Sequence, residues 1–128
     1  MKVKIGPYPN HRFYHNWLYN WFGYSPKQKT SVKIHNYDTW SMDHTLAHIV
    51  LPMLVQLKAT QHGHPANLTE QEWDDILDKM IWAFEQKCRD DWMDDYDYSW
   101  NSEEAKVHQE RMTNGFKLFG KYYESLWD

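Results

Sequence analysis

Apolar and polar positions recur with two different periods along the chain, and those periods predict its elements. Lys2-Val3-Lys4-Ile5 and Ser31-Val32-Lys33-Ile34-His35 alternate with period two. Each predicts a short strand with one apolar face. The two strands can pair with each other or with copies in another subunit through an open edge. Between them Phe13, Trp17 and Trp21 recur every four residues, as do Tyr14, Leu18 and Phe22. That spacing predicts a helix of about three turns with one broad aromatic face, stopped by Gly23 and Pro26. Such a face is expected to pack into the core.

The period then lengthens to that of three long helices. Ser41 is the expected N-cap of the first, which runs to about Thr60 with Leu46, Ile49, Val50, Met53, Leu54 and Leu57 on its inner face. Pro52 lies inside it and predicts a kink. His62-Gly63-His64-Pro65 is expected to end it, with Gly63 in the left-handed position. Thr69-x-x-Glu72 is a capping box that opens the next helix, whose buried stripe is Trp73, Ile76, Leu77, Met80, Ile81, Phe84 and Cys88. An acidic and aromatic segment over residues 90–100 follows and is expected to be a solvated loop. Asn101-x-x-Glu104 is a second capping box, opening a last helix with His108, Met112, Gly115, Phe119, Tyr122 and Leu126 along one face. A glycine inside a helix suits a place where another backbone or a ligand approaches closely. The expected fold is mainly α: a small bundle of about four helices with a short two-stranded β element near the N-terminus. Residues 1–128 are expected to form one domain, made of an aromatic β/α segment (1–40) and a helical bundle (41–128).

Composition sharpens this picture. The chain has 128 residues, of which 17% are aromatic, with eight Trp and nine Tyr. That exceeds what one small core needs, and points to a homo-oligomer. Residues 1–64 hold seven Lys/Arg against two acids (+5), and residues 65–128 hold seven against sixteen (−9). Halves of opposite sign attract each other, within or between chains. The basic residues are scattered, so duplex nucleic acid is not an expected partner. No run approaches the roughly 18 apolar residues of a membrane span, and the start lacks a signal peptide's apolar stretch. A cytoplasmic protein is expected. Cys88 is the single cysteine, which excludes an intramolecular disulfide, and its place in the buried stripe reads as an inert thiol.

Several residues could carry chemistry. His44 and His48 are four apart and share a helix face beside Asp43. Such a pair can bind Zn²⁺ or a similar divalent ion if Glu85, His108 or the His62/His64 pair supplies a third ligand. Paired histidines are more often polar contacts at helix ends, and the metalloprotease pattern would need Glu where Thr45 stands. No cofactor is therefore expected. Arg111 and Asn114 lie together on the last helix, and Arg111 offers a planar fork for carboxylate or phosphate. It can equally form a structural ion pair with Glu85. Phosphate-binding glycine loops, nucleophile elbows and Cys-x-x-Cys motifs are all missing from the sequence.

Three segments resemble a family of small proteins of tailed bacteriophages. They are Tyr37-Asp38-Thr39-Trp40-Ser41-Met42-Asp43-His44-Thr45-Leu46-Ala47, Met80-Ile81-Trp82-Ala83-Phe84-Glu85-Gln86, and the stretch from His108-Gln109-Glu110-Arg111 through Asn114-Gly115-Phe116 to Lys121-Tyr122-Tyr123-Glu124-Ser125-Leu126-Trp127-Asp128. The resemblance implies action in the cytoplasm of an infected bacterial host, and brings no activity with it. From the residue chemistry and that context, the leading expectation is a non-enzymatic protein that sequesters a small anionic, nucleotide-like signal of host defence. Trp40 and Tyr122 would stack on a base. Arg111 and Lys121 would meet charge, and Asp43, His44, Glu85 and Asn114 would read polar edges. The alternatives are a metal-dependent hydrolase of a small phosphate compound using His44 and His48, and an interaction module that docks its aromatic N-terminal helix on a partner.

Overall fold

The computed structural model describes residues 1–5, 13–23, 30–89, 91 and 102–127. The fold is mainly α: among these residues there are four α-helices and a two-stranded antiparallel sheet. The loop expected over residues 90–100 falls outside the described residues apart from Asp91, as do Pro26 and Asn101. The chain divides into two compact units, Met1–Trp40 and Ser41–Asp128. No helix of the described residues is long and apolar enough to cross a membrane.

The N-terminal unit holds β1 (Lys2–Ile5), α1 (Phe13–Phe22) and β2 (Thr30–Lys33). The strands pair with each other in the register Lys2 to Lys33 and Val3 to Val32. Gly23 ends α1 with φ at +64°, and its N–H donates to the Tyr19 carbonyl at 2.9 Å. This is a left-handed cap that glycine adopts without a steric penalty. For the described rings of the aromatic face, the expected burial does not hold. Trp17 is 55% exposed and Trp21 and Phe22 are each 72% exposed. These rings meet one another instead: Trp17 lies 6.3 Å from Trp21 and 6.0 Å, edge-on, from Phe22. A 3-10 turn, Asn36–Thr39, follows β2. Asp38 accepts there from the His35 backbone N–H and from the Met1 amino group, both at 2.8 Å. Both partners favour the charged carboxylate, so its pKa lies below the ordinary aspartate value.

The C-terminal unit packs α3 (Glu70–Cys88) between α2 (Met42–Thr60) and α4 (Glu103–Lys121). A second 3-10 turn, Tyr123–Ser125, follows α4. Neighbouring helices are antiparallel: the start of α2 and the start of α4 both meet the end of α3, through His44 and His108. Ala47, Leu54, Trp73, Leu77, Met80 and Phe84 form the core. Thr69 and Glu72 close the capping box that their spacing predicts, each side chain accepting from the other's backbone N–H. Gly115 is the tightest helix contact. A Cβ there would stand 2.3 Å from Ala83 Cβ and 2.7 Å from the Lys79 carbonyl oxygen, so α3 and α4 touch nearly backbone to backbone.

Three local expectations are corrected. The inner face of α2 centres on Ala47 and Leu54, at 0% and 3% exposure, whereas Leu46 and Met53 are 42% and 59% exposed. Helix α2 packs chiefly on α3, so a narrow seam is covered and the rest of its broad stripe faces outward. Ser41 holds the N-cap position of α2 without a side-chain capping bond, while Ser102 caps α4 by accepting from the Ala105 N–H at 3.2 Å. Helix α2 ends at Gln61 in extended backbone, and Gly63 has no positive φ. The Gln61 amide bonds the Asp74 carboxylate of α3, and this side-chain tie, not a glycine cap, marks the end of the helix.

Candidate functional site

Helix periodicity builds one cleft in the helical unit. Glu104, Val107, His108 and Arg111 follow the i, i+3, i+4, i+7 spacing of one face of α4. Trp82 of α3 faces them, and Glu103 completes the rim. The cleft they line has a volume of about 390 Å³. It lies where α3 finishes and α4 starts.

The Arg111 guanidinium carbon sits 3.7 Å above the Trp82 ring. A cation over an indole face gains roughly 0.5–1 kcal/mol at an exposed site. This contact takes the place of the Arg111–Glu85 ion pair considered from sequence; no such ion pair forms among the described residues. The His108 ring lies 5.0 Å from Trp82, tilted by 60°. Buried His108 places Nε2 at 3.1 Å from the Gln86 side-chain oxygen, which also accepts from the Arg89 guanidinium at 3.4 Å. Arginine only donates, so the shared Gln86 atom is the carbonyl oxygen and His108 Nε2 carries the hydrogen. Gln86 therefore fixes the imidazole orientation behind Trp82, and Arg89 passes the network on to Asp91 at 3.2 Å.

The expected site residues divide among several places. Asp43 and His44 come together at the end of α3: Asp43 pairs with the Lys87 ammonium, and His44 Nδ1 lies 3.0 Å from the Lys87 carbonyl oxygen. The ammonium beside Asp43, and the His44 backbone N–H, hold its carboxyl below the ordinary aspartate pKa. Glu85 is exposed one turn beyond Trp82, and Asn114 is exposed one turn beyond Arg111. Tyr122 and Lys121 are not with them. The Tyr122 ring packs edge-on against Trp73 at 5.5 Å, and Lys121 Nζ lies 5.1 Å from that ring. Trp73 precedes Trp82 by nine residues, about 14 Å along the helix axis. Trp40 belongs to the N-terminal unit, 86% exposed, with its ring stacked on Tyr37 at 6.4 Å. His48 Nε2 stands 3.1 Å from His44 Nε2. No group of three or more His, Cys, Asp or Glu able to hold a metal ion occurs among the described residues. Cys88 is partly buried, and burial pushes its thiol pKa up, away from the reactive thiolate.

Glu103, Glu104 and Val107 are cleft residues that the sequence reading placed in no site, and it named His108 only as a possible third metal ligand. The α4 spacing was visible in the sequence; what it could not show was that Trp82 lies opposite. Chemically the cleft joins an indole, an accessible guanidinium and two carboxylates. Its described lining contains no serine, threonine, cysteine or lysine nucleophile. Comparison with protein-family models, with curated proteins and with solved structures returns no match to this chain.

Proposed function

We propose that this chain is a non-enzymatic binder of a small anionic, base-containing molecule, and that it sequesters a nucleotide-derived defence signal in the cytoplasm of a phage-infected bacterium. The observation that carries the reading is the Arg111 guanidinium held over Trp82 at the cleft. A guanidinium plane can stack on a base, and its N–H edge can bond a phosphate, so one residue serves both halves of a nucleotide. Trp82 anchors that plane from below. Glu103 and Glu104 offer acceptors for exocyclic amines and sugar hydroxyls. Residues 41–128 carry eight Lys/Arg against seventeen Asp/Glu. Such a field repels long polyanions and is tolerant of a short, weakly charged ligand placed on one cation.

Calorimetric titration of the full chain with cyclic nucleotides and ADP-ribose derivatives tests the proposal. The expected result is saturable binding by at least one class, with intact ligand released on denaturation. Arg111→Ala should weaken it by about ten-fold or more, the loss of one charge-assisted contact. No binding across the panel, binding indifferent to Arg111→Ala, or recovery of a cleaved product would each overturn it.

A further inference from the structure

We infer that His44 and His48 form a chelating site for a borderline transition-metal dication such as Zn²⁺ or Ni²⁺, separate from the cleft and independent of the function proposed for it. The four-residue spacing on α2 brings the two Nε2 atoms to 3.1 Å, with the rings nearly perpendicular and their centroids 4.6 Å apart. Two nitrogens each about 2.05 Å from one ion stand about 3.3 Å apart at the tetrahedral angle and about 2.9 Å apart at a right angle. The observed separation lies between these values.

The orientation of His44 is set from outside the pair. Its Nδ1 lies 3.0 Å from the Lys87 carbonyl oxygen, which can only accept, so Nδ1 carries the hydrogen. In the neutral ring Nε2 is then left as a lone pair directed at His48. A backbone carbonyl holding the distal N–H of an imidazole is the usual outer support of a metal-binding histidine. His48 is exposed on the same face and gives the ion a route from solvent. In the apo form His48 Nε2–H donates to His44 Nε2. On binding, the His48 proton moves to Nδ1, and both Nε2 lone pairs meet the ion. Among the described residues no third His, Cys, Asp or Glu completes the set.

Titrating the full chain with NiCl₂ or ZnCl₂ in a non-coordinating buffer tests the site. His48→Gln is the informative variant, because its amide can still donate to His44 Nε2 while ligating metal poorly. It should remove one equivalent of binding or weaken it by at least about ten-fold, with the far-UV circular dichroism unchanged. The double variant His62→Gln/His64→Gln should leave that equivalent in place. Absence of binding to the wild-type chain, or a titration that His48→Gln does not alter, overturns the inference.

Discussion

Trp73 and Trp21 are the same side chain on the same kind of element, yet one is 2% exposed and the other 72%. What separates them is where their neighbours lie in the sequence. Trp73 is covered by Tyr122, forty-nine positions further along, because α4 returns antiparallel beside α3. Trp21 meets Trp17 on its own ten-residue helix. Local ring pairs contribute about 0.5–1.5 kcal/mol each beyond area burial, but do not remove a face from water. An abundance of rings thus marks a core only where a distant element returns to cover them. The helical unit achieves this with aliphatic and small residues beside its rings; the N-terminal unit, as described, does not.

The largest expected effect tests the covered region. Leu77→Ala removes a fully buried side chain and should destabilise the protein by roughly 2–5 kcal/mol. Urea unfolding measures it, and a loss below about 1 kcal/mol would show that this core is loosely packed. Gly115→Ala comes next. The added methyl gains about 1 kcal/mol of helix propensity, but stands 2.3 Å from Ala83 Cβ and 2.7 Å from the Lys79 carbonyl. Overpacking typically costs about 1–3 kcal/mol, so a lower unfolding midpoint is expected; a higher one would deny the close approach.

Much of this contrast is legible along the chain. Thr69 and Glu72 cap α3 as their spacing predicts, and Trp73, Leu77, Met80 and Phe84 are buried as a stripe. Both features are decided within one helix. Gly115 also stands where its presence inside a helix predicts a close neighbour. The exposure of Leu46 and Met53 was not legible, because an apolar stripe does not state how many helices will cover it. For the candidate site, the sequence brought Arg111 into view but not its partner. Arginine can pair with Glu85 or stack on Trp82, and only the relative rotation of α3 and α4 chooses between them.

Smaller effects sharpen the surface side of the comparison. Asp43→Asn removes the exposed pair with Lys87 and should lower stability at pH 7 by no more than about 0.5 kcal/mol. The folded pKa of Asp43 is depressed, so its contribution is present above the ordinary aspartate pKa of about 4 and is lost as pH falls through the folded value. Wild type and variant should therefore converge in acid melts; a gap that widens as pH falls would contradict the ion pair. Trp21→Ser should have the smallest effect, within about 0.5 kcal/mol of wild type. A larger loss on thermal melting would reveal that this ring is covered in solution by something beyond its own helix.

Ala83 directly follows Trp82, and Gly115 is one turn past Arg111. The seam where these two small residues meet is therefore a spacer gauge for the cleft beside it. A methyl group added there is expected to prise the helices apart, and so to lift the guanidinium from the indole without touching either. Under the function proposed for the cleft, ligand thickness would be tuned from behind it, so variants with altered preference should be sought at the gauge as well as at the rim.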